Sequence, residues 1–431
     1  MNVNRADGEK TVAIVTSRLP YPGPEGNLRY MYAFAQFLEA RGHRVHIVLR
    51  TPKVPFIFST LLQFFPSGNV RIEAPGIFHL GRWHMVLHPS RAAKNLASNL
   101  LLVFPAPFVA AARRILLRLF QGPTHGIDAE TNAPVFLDTS QHDPRPGEVA
   151  FVTSVFDRIN PDAVFFDTSF CAPYCGHLGD TAVKYVITHD VVHERHQTFV
   201  DQGYQIRPRW ITREEEASLL GAFDVIIAIQ PQEAESFTAL RPDRQVVAIP
   251  FPLATTTHNP SDEVAGRCLF AGSVGLHNVD GLRWFLHQVW PAVVAQVPTA
   301  TLHVCGAVCE EVRDPCPGVV YRGVVPDLSA EYAAAALVIV PLRAGSGLKI
   351  KVVEALSHGR PCVTTEIGAQ GLPRGDHTPF VVADEAGAFA EAVIDLLRDD
   401  TARHLMGGGA HEFCEPYTAD RAFAPLIERG L

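Results

Sequence analysis

The chain has 431 residues, 47% of them hydrophobic and 19% charged, with a formal net charge of −8. That length and apolar content suffice for two domains with full cores, and the acidic balance excludes a general nucleic-acid binder, whose surface carries a basic field. The eight cysteines are irregularly spaced, and neither close pair, Cys171/Cys175 or Cys305/Cys309, has the spacing of a zinc ribbon or a redox motif, so a reduced, cytoplasmic chain is expected.

The first ten residues are polar, and no signal peptide is expected from them. Residues 11–17 (TVAIVTS) read as a buried strand, 18–27 as a loop rich in proline and glycine, 28–40 as an apolar-periodic helix and 44–49 as the next strand. Strand, glycine-containing loop, helix and strand in that order open a doubly wound α/β domain. Residues 51–148 form a less regular insertion. Within it the apolar run 95–120 is broken by Pro105 and Pro107 and carries Arg113, Arg114 and Arg118, so it does not read as a membrane-spanning helix. Residues 110–120 read as an amphipathic helix with a basic face, packed on the first domain. The alternative is weak peripheral contact with the inner face of a membrane through 96–120. Residues 121–148 read as a long surface loop.

Regular alternation resumes with a helix at 149–158 and strands at 163–167 and 182–188. His189 follows that second strand directly, at the carboxyl end where open α/β sheets bind ligands; the alternative is a hydrogen-bonded structural histidine. His189, His193 and His196 with Glu194 do not read as a metal site, because His189 ends a strand and does not share a helix face with His193. A helix at 213–220, a strand at 223–229, a helix at 231–240 and a strand at 245–250 complete a first domain over 1–250. The polar, aperiodic stretch 251–265 is the linker. A second domain, 266–410, opens with a strand at 267–271, the turn Gly272-Ser273-Val274-Gly275 and a helix from Val279. Strands at 300–306 and 319–322 and a helix at 328–336 follow, and a helical tail occupies 411–431.

The most specific pattern lies at 337–372, LVIVPLRAGSGLKIKVVEALSHGRPCVTTEIGAQGL. A short apolar strand at 337–342 meets Arg343-Ala344-Gly345-Ser346-Gly347, with Ser346 at the expected helix N-cap. A helix at 348–357 has Lys349 in its first turn, and a strand starts at Cys362. Such a turn offers free backbone N–H groups and the positive end of a helix dipole, glycine lets a ligand come close, and lysine adds a charge: the combination suits a phosphate. Lys351 lies roughly 200° further around a helix of 3.6 residues per turn, so the two lysines are not expected to face one ligand. Lys351 and Glu354, three apart, are open to a simple surface pair.

These residues, with the run from FAGSVGLHNVDGLRWF through GVVPDL, resemble the group 1 glycosyltransferases (family 4) over 270–372. The resemblance implies two Rossmann-like α/β domains facing a central cleft, the GT-B fold. The activity it implies is transfer of a sugar, hexosyltransferase-like, from a nucleoside-diphosphate sugar to an acceptor hydroxyl, with retention and with neither essential metal nor cofactor beyond the donor. The partners implied are that donor and a glycan, lipid-linked or small-molecule acceptor. Carried over position by position, Lys349 serves the diphosphate, Glu354 the nucleotide ribose and His189 the donor sugar. Gly26 and Asn27 line the first loop, and Gly272, Ser273, Val325, Arg343, Gly345, Ser346 and Gly347 line the substrate pocket. Three positions depart from the wider family. Ser346 stands where a glutamate is frequent, Asn27 replaces the second of two adjacent glycines, and Ser273 stands where a basic residue often holds the diphosphate, leaving more of that charge to Lys349. In GT-B proteins the last helix crosses back to the first domain. The alternatives are a nucleotide-sugar epimerase on the same fold and a non-catalytic GT-B-like partner protein.

Overall fold

The structure is a computed structural model that describes residues 8–20, 26–53, 69–75, 77–80, 83–86, 125–127, 134–138, 140–141, 143–253, 262–325, 327–345, 347–375 and 378–431. The first half contains β1 (Thr11–Arg18), α1 (Gly26–Ala40), β2 (Arg44–Lys53), β3 (Val70–Glu73), β4 (Ile77–Leu80), β5 (Trp83–Val86), β6 (His125–Ile127), β7 (Pro134–Leu137) and α2 (Pro146–Ile159). It continues through β8 (Ala163–Asp167), β9 (Val183–Ile187), α3 (Val192–Asp201), β10 (Gln205–Arg207), α4 (Arg213–Leu220), β11 (Val225–Ala228), α5 (Pro231–Leu240) and β12 (Gln245–Ala248). Strands such as VFFD and VIIA are apolar on both faces, as buried parallel strands covered by helices on both sides must be. Seven of them form a parallel sheet in the order β12-β11-β9-β8-β1-β2-β3. Val12 pairs with Val45 on one side and with Ala163 on the other, so the chain runs outward from β1 in both directions. The crevice between β1 and β8 is the switch point at which such sheets take ligands.

The second half repeats the arrangement. It contains β13 (Arg267–Ala271), α6 (Leu276–Trp284), α7 (Trp290–Gln296), β14 (Thr301–Cys305), β15 (Val319–Gly323), α8 (Ser329–Ala334), β16 (Leu337–Val340), α9 (Ile350–Ser357), β17 (Cys362–Thr364), β18 (Phe380–Val382), α10 (Ala386–Arg398) and α11 (Asp400–Cys414). Its six-stranded sheet has the order β15-β14-β13-β16-β17-β18, so its switch point lies between β13 and β16. The loops leaving those strands are the Gly272–Gly275 turn and the glycine turn before Lys349.

The tail, α12 (Ala419–Ala422) and α13 (Ala424–Ile427), returns to the first half. Leu253 and Thr418 form a parallel bridge, with the Leu253 N–H donating to the Tyr417 carbonyl at 2.6 Å. Phe423 is fully buried against α1, its ring centroid 4.5 Å from Phe37, 5.7 Å from Phe34 and 6.3 Å from Tyr30. Phe251 and Leu253, at the start of the expected linker, are also buried in this core.

Two expectations need correction. Residues 121–148 are not one long loop: β6 and β7 pair antiparallel there, β7 pairs parallel with β10, and α2 begins at Pro146. The partner strand is far downstream, so no local pattern announces the pairing. The helix of the glycine turn starts at Ile350, which makes Lys349, not Ser346, its N-cap residue. Ser346 lies outside the described residues, as do 96–120 and the helix expected at 110–120. No described helix is long and apolar enough to cross a membrane.

Because Phe423 has no exposed surface and three aromatic neighbours, Phe423→Ala is expected to cost about 3–5 kcal/mol of unfolding free energy. Urea denaturation measures it, and a loss under about 1 kcal/mol would remove the tail from the shared core.

Candidate active site

On the first domain the site begins at the end of β9. His189 leaves the strand and its Nε2 lies 2.6 Å from Asp167 Oδ1 at the end of β8, while Thr16 Oγ1 at the end of β1 donates to Asp167 Oδ2 at 2.6 Å. Three adjacent strand ends thus build a Thr–Asp–His chain at the switch point. Burial alone would lower the His189 pKa, but the hydrogen bond and charge of Asp167 overcome it and the net shift is upward. Burial likewise opposes the Asp167 charge, and His189 and Thr16 more than offset it, so that carboxylate titrates below its usual range. Sequence reasoning missed Asp167, although an aspartate ending the buried strand AVFFD is the available signal. Tyr30 of α1 meets His189 edge-on at 6.1 Å.

His193 and His196 go elsewhere. His193 Nδ1 lies 2.7 Å from Glu216 Oε2, His196 Nε2 lies 2.9 Å from Asp138 Oδ2, and Glu194 accepts from Ser236 Oγ at 3.0 Å. The histidines serve separate carboxylates, and no group of three or more metal-ligating side chains gathers among the described residues.

On the second domain, the turn after β13 and the start of α9 carry the cationic wall. Gly272 has no room for a side chain, because a Cβ there would lie 2.9 Å from the Phe270 ring and 3.2 Å from Asn278 Cγ. Asn278 Nδ2 donates to the Ser273 carbonyl at 3.2 Å and to Ser273 Oγ at 3.1 Å, fixing the turn. The Lys351 amine donates to Asn278 Oδ1 and stands 5.0 Å over the Phe270 ring. Burial pushes that amine down to about 7. Lys351 is therefore not a surface partner of Glu354 but part of the Ser273 turn, and helix geometry could not show this because Phe270 and Asn278 are distant in sequence. Lys349 is 8% exposed; its amine donates to the Gly347 carbonyl, and burial, partly offset by Glu233 and Asp190, pushes it down to about 8. His277 is held neutral near pH 7, down to about 3, by burial and then by the charges of Lys351, Lys349 and Arg195. Both lysines thus lie near enough to His277 for their charges to act on it.

The two halves touch through glycines. A Cβ on Gly347 (φ 81°) would lie 2.9 Å from the His189 carbonyl and 3.3 Å from Glu233 Oε1. A Cβ on Gly26 would lie 2.2 Å from Ile350 Cδ1 at the start of α9. Gly345, at φ 114°, donates its N–H to Thr198 Oγ1 of α3 at 3.0 Å. Glu354 is engaged across the same boundary by Arg29 of α1 and within its own domain by Tyr332 Oη at 3.2 Å. The structure does not gather every expected residue. Arg343 forks onto Asp280 at 2.9 and 3.1 Å, Val325 packs half-buried on the apolar core, and the Oδ1 of exposed Asn27 accepts from the neighbouring Leu28 N–H.

A buried carboxyl that the sequence reading passed over, Glu233 of α5, stands beside Lys349. Burial and the charge of Asp190 push it up to about 8, with Lys349 opposing them. The proton Glu233 keeps on folding stabilises the protein fully below pH about 4.5, and this stability is lost as pH rises through about 8.

Two open α/β sheets with their switch points facing across a shared cleft define the GT-B fold. Three solved structures share that fold along nearly their whole length. A mutant of S. aureus TarM in complex with fondaparinux, alpha-GlcNAc-glycerol and UDP has a TM-score of 0.65 and 11% identity, covering 98% of this chain and 99% of that one. Sucrose-phosphate synthase from Thermosynechococcus elongatus has 0.61 and 15%, covering 98% of each. Anabaena HepE in complex with UDP and glucose has 0.59 and 12%, covering 98% and 99%. Residues 265–399, in the second half of the chain, match the family model of the glycosyl transferases group 1. A curated relative, an uncharacterized 44.6 kDa protein in the cps region of Klebsiella pneumoniae, is 25% identical over 177 residues; the match spans 38% of this chain and 45% of that protein.

If Asp167 sets the charge of His189, Asp167→Asn leaves burial as the dominant influence. The His189 titration, followed by its ring C–H proton resonance, is then expected to move to lower pH. An unmoved midpoint would show that the imidazole is governed by something else.

Proposed function

We propose that the chain is a glycosyltransferase that moves a sugar from a nucleoside-diphosphate sugar to an acceptor hydroxyl with retention of configuration. The observation that carries the reading is the convergence of Lys349, Lys351 and the Ser273 turn on one wall with the Thr16–Asp167–His189 chain on the other. The UDP bound in the TarM and HepE structures supports a nucleoside diphosphate, with uridine the base to try first.

The chemistry follows from charge. The bond between the anomeric carbon and the diphosphate oxygen breaks with its electron pair going to the diphosphate, while the sugar becomes cationic. Lys349, Lys351 and the N–H groups opening α6 and α9 meet the charge that develops on the leaving group, in a dry site where such contacts are strongest. With retention, the acceptor hydroxyl arrives on the face the diphosphate vacates, so its proton passes to the departing phosphate oxygen as the new carbon–oxygen bond forms. His189, its Nε2–H held by Asp167, presents its other nitrogen to the sugar. Glu354 takes the ribose hydroxyls once the Arg29 contact is shared or released.

A panel of UDP, GDP, ADP and dTDP is expected to include one nucleotide that raises the melting temperature, since ligand at 100 times its Kd adds about 2.7 kcal/mol. Lys351→Met should weaken that binding by about tenfold or more, and Lys349→Ala should lower kcat by about 100-fold or more, the scale of one preorganised contact. Transfer is expected to survive EDTA because protein cations carry the diphosphate. Activity lost to EDTA and restored by magnesium would overturn that assignment, and a panel without any stabilising nucleotide would overturn the reading as a whole.

A further inference from the structure

Helix α5 opens with two buried polar side chains that the transfer chemistry above leaves unused. Gln230, at the N-cap, is 1% exposed, and Glu233, in the first turn, is 3% exposed. Both oxygens of Glu233 and both polar atoms of the Gln230 carboxamide lack a hydrogen-bond partner. Gln230 and the backbone of Ile229 lie near enough to ease the Glu233 charge, but not with hydrogen-bond geometry.

The rest of the first domain shows how unusual this is. Among the described residues its four other buried carboxylates are engaged: Glu73 by His46 and Arg158, Asp138 by Arg195 and His196, Asp167 by Thr16 and His189, and Glu216 by His193 and the N–H groups of Val192 and His193. A buried polar group left without a partner costs about 1–3 kcal/mol, so four such atoms in one helical turn call for something that completes them.

Their position says what. Glu233 Oε1 lies 3.3 Å from the Cβ position of Gly347, whose other neighbours are the His189 carbonyl and Asp190 Cβ, and Gln230 Oε1 occupies the space a Cβ on Gly371 would need. The start of α5 therefore reaches between two glycine turns of the second domain, beside Lys349 and one residue contact from His189. The two glycine turns close over these side chains here, so a group admitted as the turns draw apart would lie between the cationic wall and the strand-end histidine.

We propose that Glu233, with Gln230, binds the hydroxyl groups of the sugar carried by the donor and selects neutral hexoses over hexuronic acids. This rests on the glycosyltransferase reading. Each sugar hydroxyl both donates and accepts, and a carboxyl beside a carboxamide offers both complements. A site built to bond hydroxyls discriminates strongly, because an occupant that cannot bond leaves its polar groups unsatisfied. A carboxylate on the sugar would meet the charge of Asp190 behind Glu233, and a second negative charge once Glu233 itself ionises.

The test uses the full chain with UDP and with UDP-glucose, UDP-galactose, UDP-N-acetylglucosamine and UDP-glucuronate, or the same set on whichever base the melting panel selects. Wild type is expected to release nucleotide from a neutral conjugate and to discriminate against the glucuronate. Glu233→Ala should keep its Kd for bare UDP within about twofold while kcat/KM for the neutral conjugate falls roughly 10- to 100-fold, the scale of an unsatisfied buried group. Glu233→Gln, which keeps the shape and both hydrogen-bonding roles, should lose less. Glu233→Ala should melt at or above wild type, because it removes an unpartnered carboxyl, and Glu233→Gln should melt close to wild type, because its carboxamide has the same unmet needs. A structural role for Glu233 makes the opposite forecast, a lower melting temperature with UDP affinity and conjugate turnover falling together, and that result overturns the assignment. So does unchanged conjugate turnover in Glu233→Ala, or in Gln230→Ala should Glu233→Ala not fold. Wild type without affinity for any nucleoside diphosphate overturns the transfer reading itself, which separates the two failures.

Discussion

The contact on which the site depends is the approach of the Gly347 backbone to the His189 carbonyl. A side chain at that position would stand 2.9 Å from the carbonyl oxygen and 3.3 Å from Glu233, so only glycine lets the second domain's turn reach the first domain's strand end. Gly26 against Ile350 and Gly371 against Gln230 repeat the arrangement on either side. The electrostatics follow from this steric fact. Desolvation leads the influences on His189, Glu233 and Lys349, which lie around the place where backbone meets backbone with no side chain to hold solvent between them. A bulkier turn would leave the same charges as ordinary hydrated ones, with little differential interaction to offer a reacting group.

How much of this could be read from the sequence depends on how local each signal is. The doubly wound order rests on short apolar runs punctuated by glycine and proline, and those runs are visible one at a time, so both sheets were legible. The glycine turn and Lys349 were legible because dipole, backbone N–H and lysine all sit within a few consecutive residues. What was not legible depends on partners remote in sequence. The pairing of β7 with β10 leaves no local trace. Helical periodicity gave the direction of Lys351 but not that Phe270 and Asn278 stand on that side. Asp167 and Glu233 were hidden differently: each sits where an ordinary strand end or helix start would have an acid, and only their burial distinguishes them. Arg343 shows the converse, a residue in the expected stretch whose charge is spent on Asp280.

The Arg29–Glu354 pair adds a constraint of a different kind. Arg29 also lies 5.4 Å from the Phe251 ring, so one guanidinium links α1, the segment leaving the first domain and the helix of the glycine turn. A carboxylate assigned to a ligand is thereby kept paired when no ligand is present. That avoids the destabilisation an isolated half-buried charge brings, and it ties occupancy of the cleft to the position of α1.

The bridge between Leu253 and Thr418 has a mechanical consequence. The chain leaves the first domain beside Phe251 and comes back beside Tyr417, and the two passages run parallel and are hydrogen-bonded to each other. A single tether would let two bodies swivel about any direction. A doubled one behaves more like a door leaf on a pin: it resists twist and slide more than one strand would, and bending about the line of the paired segments meets the least resistance. Since Phe423 anchors the returning segment under α1, that pin is fastened to the helix that carries Arg29. Bending about that line would change the gap at the glycine contacts more than their lateral register, so the angle at residues 251–253 and 417–418 bears directly on cleft width.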